Sequence, residues 1–200
     1  KSTHLSFPAI YTTGKDIYLY PENSKGDKCW LYKYNPQNDS CVKKTQLVDS
    51  LVKDSIIFKF DDIPFIFTTT EPYANKNRID IYKSSEWNVK YKYWNSVSLN
   101  NNSARSAGNI FKIGDKIIRP AQDCNKIYGG GLIFQEINYE NGNFSFDEIK
   151  KIYPKNDKHI GMHTFNKYNN CAVLDFKRYK HPVLLFLING MKKNIKKFVM

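Results

Sequence analysis

Long apolar runs are missing from this 200-residue chain. The longest, Val183 to Ile188, is far too short to cross a bilayer as a helix. No secretory signal opens the sequence. Cysteine is scarce, and Cys29, Cys41, Cys124 and Cys171 form no C-x-x-C pair and fit no common zinc spacing. That argues against a metal site and a disulfide framework. It favours reduced thiols in a cytoplasmic protein, free or at a membrane surface. Helix signals are nearly absent, and only Asp147 to Tyr153 reads as one or two helical turns. There is no G-x-S-x-G elbow, and Gly129 to Gly131 is not followed by the G-K-[ST] of a phosphate loop. No zinc-finger spacing or RNP-type strand is present, so nucleic acid is not the expected partner. No cofactor is called for. The chain starts at Lys1 rather than Met, and the expectation is a piece of something longer.

Aromatic residues are abundant, with 14 Tyr, 13 Phe and 3 Trp, and apolar residues make up 41%. A chain of this size and composition buries a real core. The formal charge is +12, with a lysine-rich tail around Lys192, Lys193, Lys196 and Lys197. Such a balance admits an anionic partner, or reflects only a Lys- and Asn-rich composition.

The stretch Ser103 to Asp123 reads as a hairpin with a turn at Gly114-Asp115. Small Ser106, Ala107 and Gly108 allow close backbone approach, and Arg105, Arg119, Gln122 and Asp123 cluster at its open end. The strand–turn–strand order of this hairpin recurs along the chain. Ile10, Ile57, Ile110 and Phe165 occupy matching places, at steps of 47, 53 and 55 residues. Each unit shows three strands and room for a fourth. This is the pattern of β-propeller blades, because one blade cannot bury both faces and must stack on neighbours. Four units make a small propeller, or most of a five-bladed one whose first blade lies upstream. An incomplete ring would need another chain or segment to cover its edges.

In a propeller the first strand of each blade lines the axis. Near the start of these strands stand His4, Asp54, Arg105 and His163. Glu22, Glu71 and Asp123 follow three of the second strands, Glu71 beside Pro72 in what reads as turn chemistry.

Four segments carry a resemblance: T-H-L-S-F-P with I-Y-L-Y-P-E, S-A-R-S-A-G, R-P-A-Q-D-C with Y-G-G-G, and G-M-H-T-F-N. Together they resemble the propeller-like domain N-terminal to plant glucosamine inositolphosphorylceramide transferases. The same domain stands beside formyltransferase-like domains in bacterial surface-polysaccharide proteins. The family pattern has Pro where this chain has Ser106, and its upstream blade is not represented. The resemblance implies a five-bladed fold akin to propeller glycosidases. It implies glycan or glycolipid biosynthesis by association.

Glycosyl chemistry needs carboxylates on two sides of a sugar. The catalytic candidates are Glu22, Asp54 and Asp123. The substrate-binding candidates are His4, Arg105, Arg119, Gln122, Tyr128 and His163. Arginine forks suit phosphate or carboxylate, histidines suit hydroxyls or proton transfer, and Tyr128 offers a ring for a pyranose face. Blander roles stay open. Arg105 and Asp123 could form a structural ion pair, Asp54 could cap a turn, and His4 could bond only its neighbouring backbone. Cys124 reads as buried rather than nucleophilic. Two functions lead: an enzyme acting on a sugar nucleotide, phospho-sugar or glycan, or a non-catalytic glycan-recognition propeller serving an adjacent catalytic domain; nucleic-acid or membrane-surface binding driven by the +12 charge ranks behind both.

Overall fold

A computed structural model describes residues 5–23, 28–155 and 159–180. All its regular structure is β. His4, the tail lysines and the expected strand Val183 to Ile188 lie outside the described residues.

The first blade is an antiparallel meander of β1 (Leu5–Thr13), β2 (Asp16–Asn23), β3 (Cys29–Asn35) and β4 (Ser40–Val48), paired in sequence order. The second repeats it with β5 (Lys53–Phe60), β6 (Ile63–Thr69), β7 (Arg78–Lys83) and β8 (Lys92–Ser98). The third has β9 (Phe111–Ile113), β10 (Lys116–Asp123), β11 (Gly131–Glu140) and β12 (Asn143–Ile152). A fourth, partial unit has β13 (His159–Gly161) paired with β16 (Lys177–Arg178). Its hairpin joins β14 (Phe165–Tyr168) to β15 (Cys171–Leu174).

Tight turns set the hairpins. Thr13 pairs with Asp16 around Gly14, and Ile113 pairs with Lys116 around Gly114, both glycines at positive φ. The stretch Asp147 to Tyr153 is not helical. Most of it belongs to β12, and Tyr153 follows the strand's end. Its charges sit on an outermost strand, exposed along most of their length, where they guard an unpaired edge.

The blades are held together by aromatic residues between their faces. Between the first and second, the Ile57 N–H donates to the buried Tyr20 hydroxyl oxygen at 3.1 Å. Nearby, Trp87 stacks on Tyr11 with ring centroids 4.5 Å apart. Between the second and third, Phe144 stands edge-on to Phe60, Phe65 and Phe67 at 5.0–5.1 Å. Each such pair contributes about 0.5–1.5 kcal/mol beyond area burial. Between the third and fourth, Phe165 packs edge-on to Phe134 at 5.0 Å, and its N–H donates to Ala107 O at 2.7 Å.

The small residues ahead of β9 serve this last junction. A Cβ on Gly108 would lie 1.8 Å from Phe165 O. Gly161 is as tightly confined, since its Cβ would meet Gly129 O at 2.1 Å. The glycine run from Gly129 to Gly131 is therefore a place where the chain of the fourth unit passes close by.

Candidate functional site

The starts of the first strands converge. Asp54 on β5, Arg105 ahead of β9, and Tyr128 and His163 beside the fourth unit line one cavity of about 890 Å³. Its wall continues along β1 through Phe7 and Ile10, and along the β14–β15 hairpin through Asn166, Tyr168 and Val173.

Asp54 reaches the cavity through a kink in its strand. The pairing of β5 with β6 shifts between Lys53 and Ile56, and Asp54 adopts φ 46 inside the bulge. It is part of a strand and caps no turn. Left-handed backbone at a residue with a Cβ costs of order 1–3 kcal/mol, and it persists where surrounding contacts fix it. The contacts here are strong. Arg105 Nε donates to Asp54 Oδ2 at 2.5 Å, and Gln122 Nε2 donates to the same oxygen at 2.9 Å. Burial pushes the Asp54 carboxyl up, to about 6, against the pull of Arg105, and the nearby charge of Glu22 adds to the rise.

Arg105 gathers partners from two other blades. Its terminal nitrogens donate to Glu22 Oε2 at 3.3 Å and to Asn75 Oδ1 at 2.9 Å. Glu22 also accepts from Lys53 Nζ at 3.0 Å. Arg105 therefore pairs with Asp54 and Glu22, not with Asp123. The Tyr128 ring lies against the same guanidinium, 5.0 Å from its carbon.

His163 completes the opposite wall. Its Nε2 is in short contact with the Tyr128 hydroxyl, and the rings meet edge to face. Burial pulls the imidazole below its usual pKa, with Arg105 and Lys177 acting in the same sense and Asp175 opposing. Asp175 holds this segment in place. Its Oδ1 accepts from the His163 and Thr164 N–H groups at 2.9 and 2.6 Å, and its Oδ2 lies 3.7 Å from His163 Nδ1.

Arg119 and Asp123 lie elsewhere. Arg119 is wholly buried and donates to Ser103 O, Ala104 O, Gln135 Oε1 and Ser106 Oγ. Its guanidinium braces the chain that carries Arg105 and does not line the cavity. Asp123 accepts from the Tyr153 hydroxyl at 2.6 Å and from Asn125. Burial alone would raise its carboxyl, but these donors hold it below the ordinary value. Strand alternation explains the split, since successive residues of β10 point to opposite faces. Gln122 stands on one face, with Arg119 and Asp123 on the other. Glu71 is exposed in its turn. The Cys124 thiol is half-buried, and burial pushes its pKa up, which disfavours the thiolate. Among the described residues no group of His, Cys, Asp and Glu is arranged to hold a metal.

Three partners carried no sequence signal of their own. Lys53 and Asn75 hold Glu22 and Arg105, and Asp175 sits behind His163. Only Lys53, beside Asp54, could have been noticed.

Residues 1–190 match the family described as glucosamine inositolphosphorylceramide transferase 1, N-terminal. The chain belongs to that family. Two curated relatives, both named glucosamine inositolphosphorylceramide transferase 1, come from rice. The Oryza sativa subsp. japonica protein is 28% identical over 136 residues, and the subsp. indica protein 25% over 138. Each alignment covers 63% of this chain but only 18% of the relative.

Among solved structures, the exo-beta-1,3-galactanase of Phanerochaete chrysosporium with galactose superposes with a TM-score of 0.65 at 11% identity. That match covers 88% of this chain and 44% of the other. The GH32 beta-fructofuranosidase of Bombyx mori gives 0.56 at 13% identity, over 91% and 45%. Both are five-bladed β-propellers, and this chain has the same fold, with about four blades present. At such identities the likeness carries the fold and not the chemistry.

Proposed function

We propose that this domain recognises a sugar, as part of a glycan or glycolipid headgroup, in the axial cavity, and presents it to a transferase domain of a longer protein. The observation behind this reading is the convergence of Asp54, Arg105 and His163 from separate blades, with Tyr128, around one cavity. A carboxylate, a ring and an apolar wall are what a pyranose needs for orientation. The family supports a carbohydrate-related role, and its named relatives are glucosamine inositolphosphorylceramide transferases.

Recognition is favoured over catalysis by the carboxylates. Hydrolysis needs two of them about 5 to 9.5 Å apart across the scissile bond. Asp54 is the one carboxylate among the described residues that line the cavity; Glu22 is held behind it on the Arg105 guanidinium, and Asp123 is bonded to Tyr153 and Asn125. A second reading, glycosyl transfer or hydrolysis at the axis, has one observation in its favour. The Asp54 carboxyl, raised to about 6, is suited to proton transfer near neutral pH.

Thermal unfolding in the presence of a panel of mono- and oligosaccharides, phospho-sugars and sugar nucleotides tests the proposal. A ligand at 100 times its Kd adds about 2.7 kcal/mol of stability. The expected result is a shift with some of the panel that is lost in Tyr128→Ala, with no product formed. Silence across the panel would sink the sugar-binding reading. Turnover of a bound sugar, abolished by Asp54→Asn, would replace recognition by catalysis.

A further inference from the structure

Resting on the reading that the cavity binds a sugar, we infer that its ligand is an uncharged sugar that donates hydroxyls to the site, not a phosphorylated sugar or a sugar nucleotide. Arg105 is the natural anion-binding group, and its charge is already matched: three of its five N–H groups go to partners, two of them carboxylates. Its Nε donates to Asp54, one terminal nitrogen to Glu22 and the other to Asn75. Two carboxylates already neutralise it, and its side chain is only 12% exposed. A phosphate would have to compete with two buried carboxylates, whose other cation among the described residues is Lys53 on Glu22.

Two of the remaining polar groups, Asp54 and Tyr128, accept, and Asn109, Thr164 and Asn166 line the cavity as uncharged groups that suit a hydroxyl. Asp54 lines the cavity as a carboxyl. The Tyr128 hydroxyl faces His163 Nε2, and burial keeps the phenol protonated and the imidazole neutral. With the other imidazole nitrogen toward Asp175, the consistent arrangement has Nδ1 protonated and Tyr128 donating to Nε2. The Tyr128 oxygen then offers the cavity lone pairs rather than a proton. Acceptors of this kind pair with hydroxyl groups, whereas a phosphate near pH 7 brings mainly further acceptors and negative charge.

The nearest lysines do not reverse this balance. Lys167 lines the cavity but is exposed, with its Nζ donating to Asn169 O, and Lys177 is also exposed, with its Nζ 5.9 Å from the centre of the Tyr128 ring. Phe7, Ile10 and Val173 supply apolar wall for the C–H face of a neutral ring.

Calorimetric titration of the protein with matched sets tests this: neutral mono- and oligosaccharides, their phosphate esters, and nucleoside-diphosphate sugars, at one ionic strength. The expected result is that a neutral sugar binds and that adding a phosphate weakens it at least tenfold. Asp54→Asn, which removes the repelling charge, should narrow that gap. Tyr128→Phe, which keeps the ring and removes the acceptor, should weaken the neutral sugar several-fold. Equal or tighter binding of the phosphorylated forms overturns the inference while leaving the sugar site standing. No binding by any of the three classes overturns the site itself, and the inference with it.

Discussion

Arg105 Nε lies 2.5 Å from Asp54 Oδ2, so the third blade is tied to the second by an ion pair at the axis. Glu22, from the first blade, shares the same guanidinium. One side chain thus joins three blades. Removing it leaves two buried carboxylates without their common cation. Such breakage costs about 3–5 kcal/mol. Arg105→Ala is expected to lose stability on that scale in urea unfolding. The double variant Arg105→Ala with Asp54→Asn should lose less than the sum of the two singles. Additive losses would mean that the pair is not coupled.

Asp54 makes stability depend on pH in an unusual direction. Its folded pKa, raised to about 6, lies above the ordinary aspartate value, so the folded state holds a proton that the unfolded chain has released. Its contribution grows as pH falls from 7 toward 4 and is lost as pH rises through about 6. The Tm of the wild type minus that of Asp54→Asn is therefore expected to increase between pH 7 and pH 5. A flat difference would contradict the burial of this carboxyl.

His163 acts in the opposite sense. Burial lowers its pKa below that of the unfolded chain, so its contribution is present above about 6.5 and declines as pH falls below that value. Comparing wild type with His163→Gln over pH 7.5 to 5 should show the wild-type advantage shrinking on acidification. Direct NMR titration of the imidazole would give the same sign.

Arg119 tests the difference between bracing and binding. Burial pulls its guanidinium down to about 9, yet it stays charged at neutral pH, with carbonyl, amide and hydroxyl oxygens accepting from its two terminal nitrogens. Arg119→Ala opens a cavity and strands those acceptors. The expected loss is about 3 kcal/mol or more in denaturant unfolding. Sugar affinity of the folded fraction should stay unchanged, and a selective loss of affinity at full stability would return Arg119 to the binding site.

Gly108 tests the junction with the fourth unit. Its missing side chain is required because Phe165 O occupies the place where a Cβ would stand. Gly108→Ala should open the Phe165-to-Ala107 hydrogen bond. Hydrogen exchange should then accelerate along β14 and β15 while β5 to β7 stay protected.

The repeat was legible because its spacing survives in the backbone. Ile10 and Ile57 are 47 residues apart, and so are Phe7 and Asp54, which share φ 46 at equivalent bulges. The outermost strands were hard to read because edge strands carry polar residues on both faces. β4 is largely exposed, and the acidic and basic residues of β12 mimic a helix. Asp54, Arg105 and His163 could be grouped because the starts of the first strands meet at the axis. Which face each β10 residue takes depends on register, and sequence alone does not fix that. Hence Arg119 and Asp123 were grouped with residues that lie on the other side of the strand.

The shared bulge at Phe7 and Asp54 has a broader consequence. It is a repeated socket: the backbone turns its residue toward the same central space in two blades, whatever that residue is. In one blade the socket holds a phenyl ring, in the other a carboxyl. The positions are interchangeable as geometry and distinct only as chemistry. A propeller built this way can revise its central ligand preference one socket at a time, by exchanging a single side chain while the scaffold between sockets stays as it is.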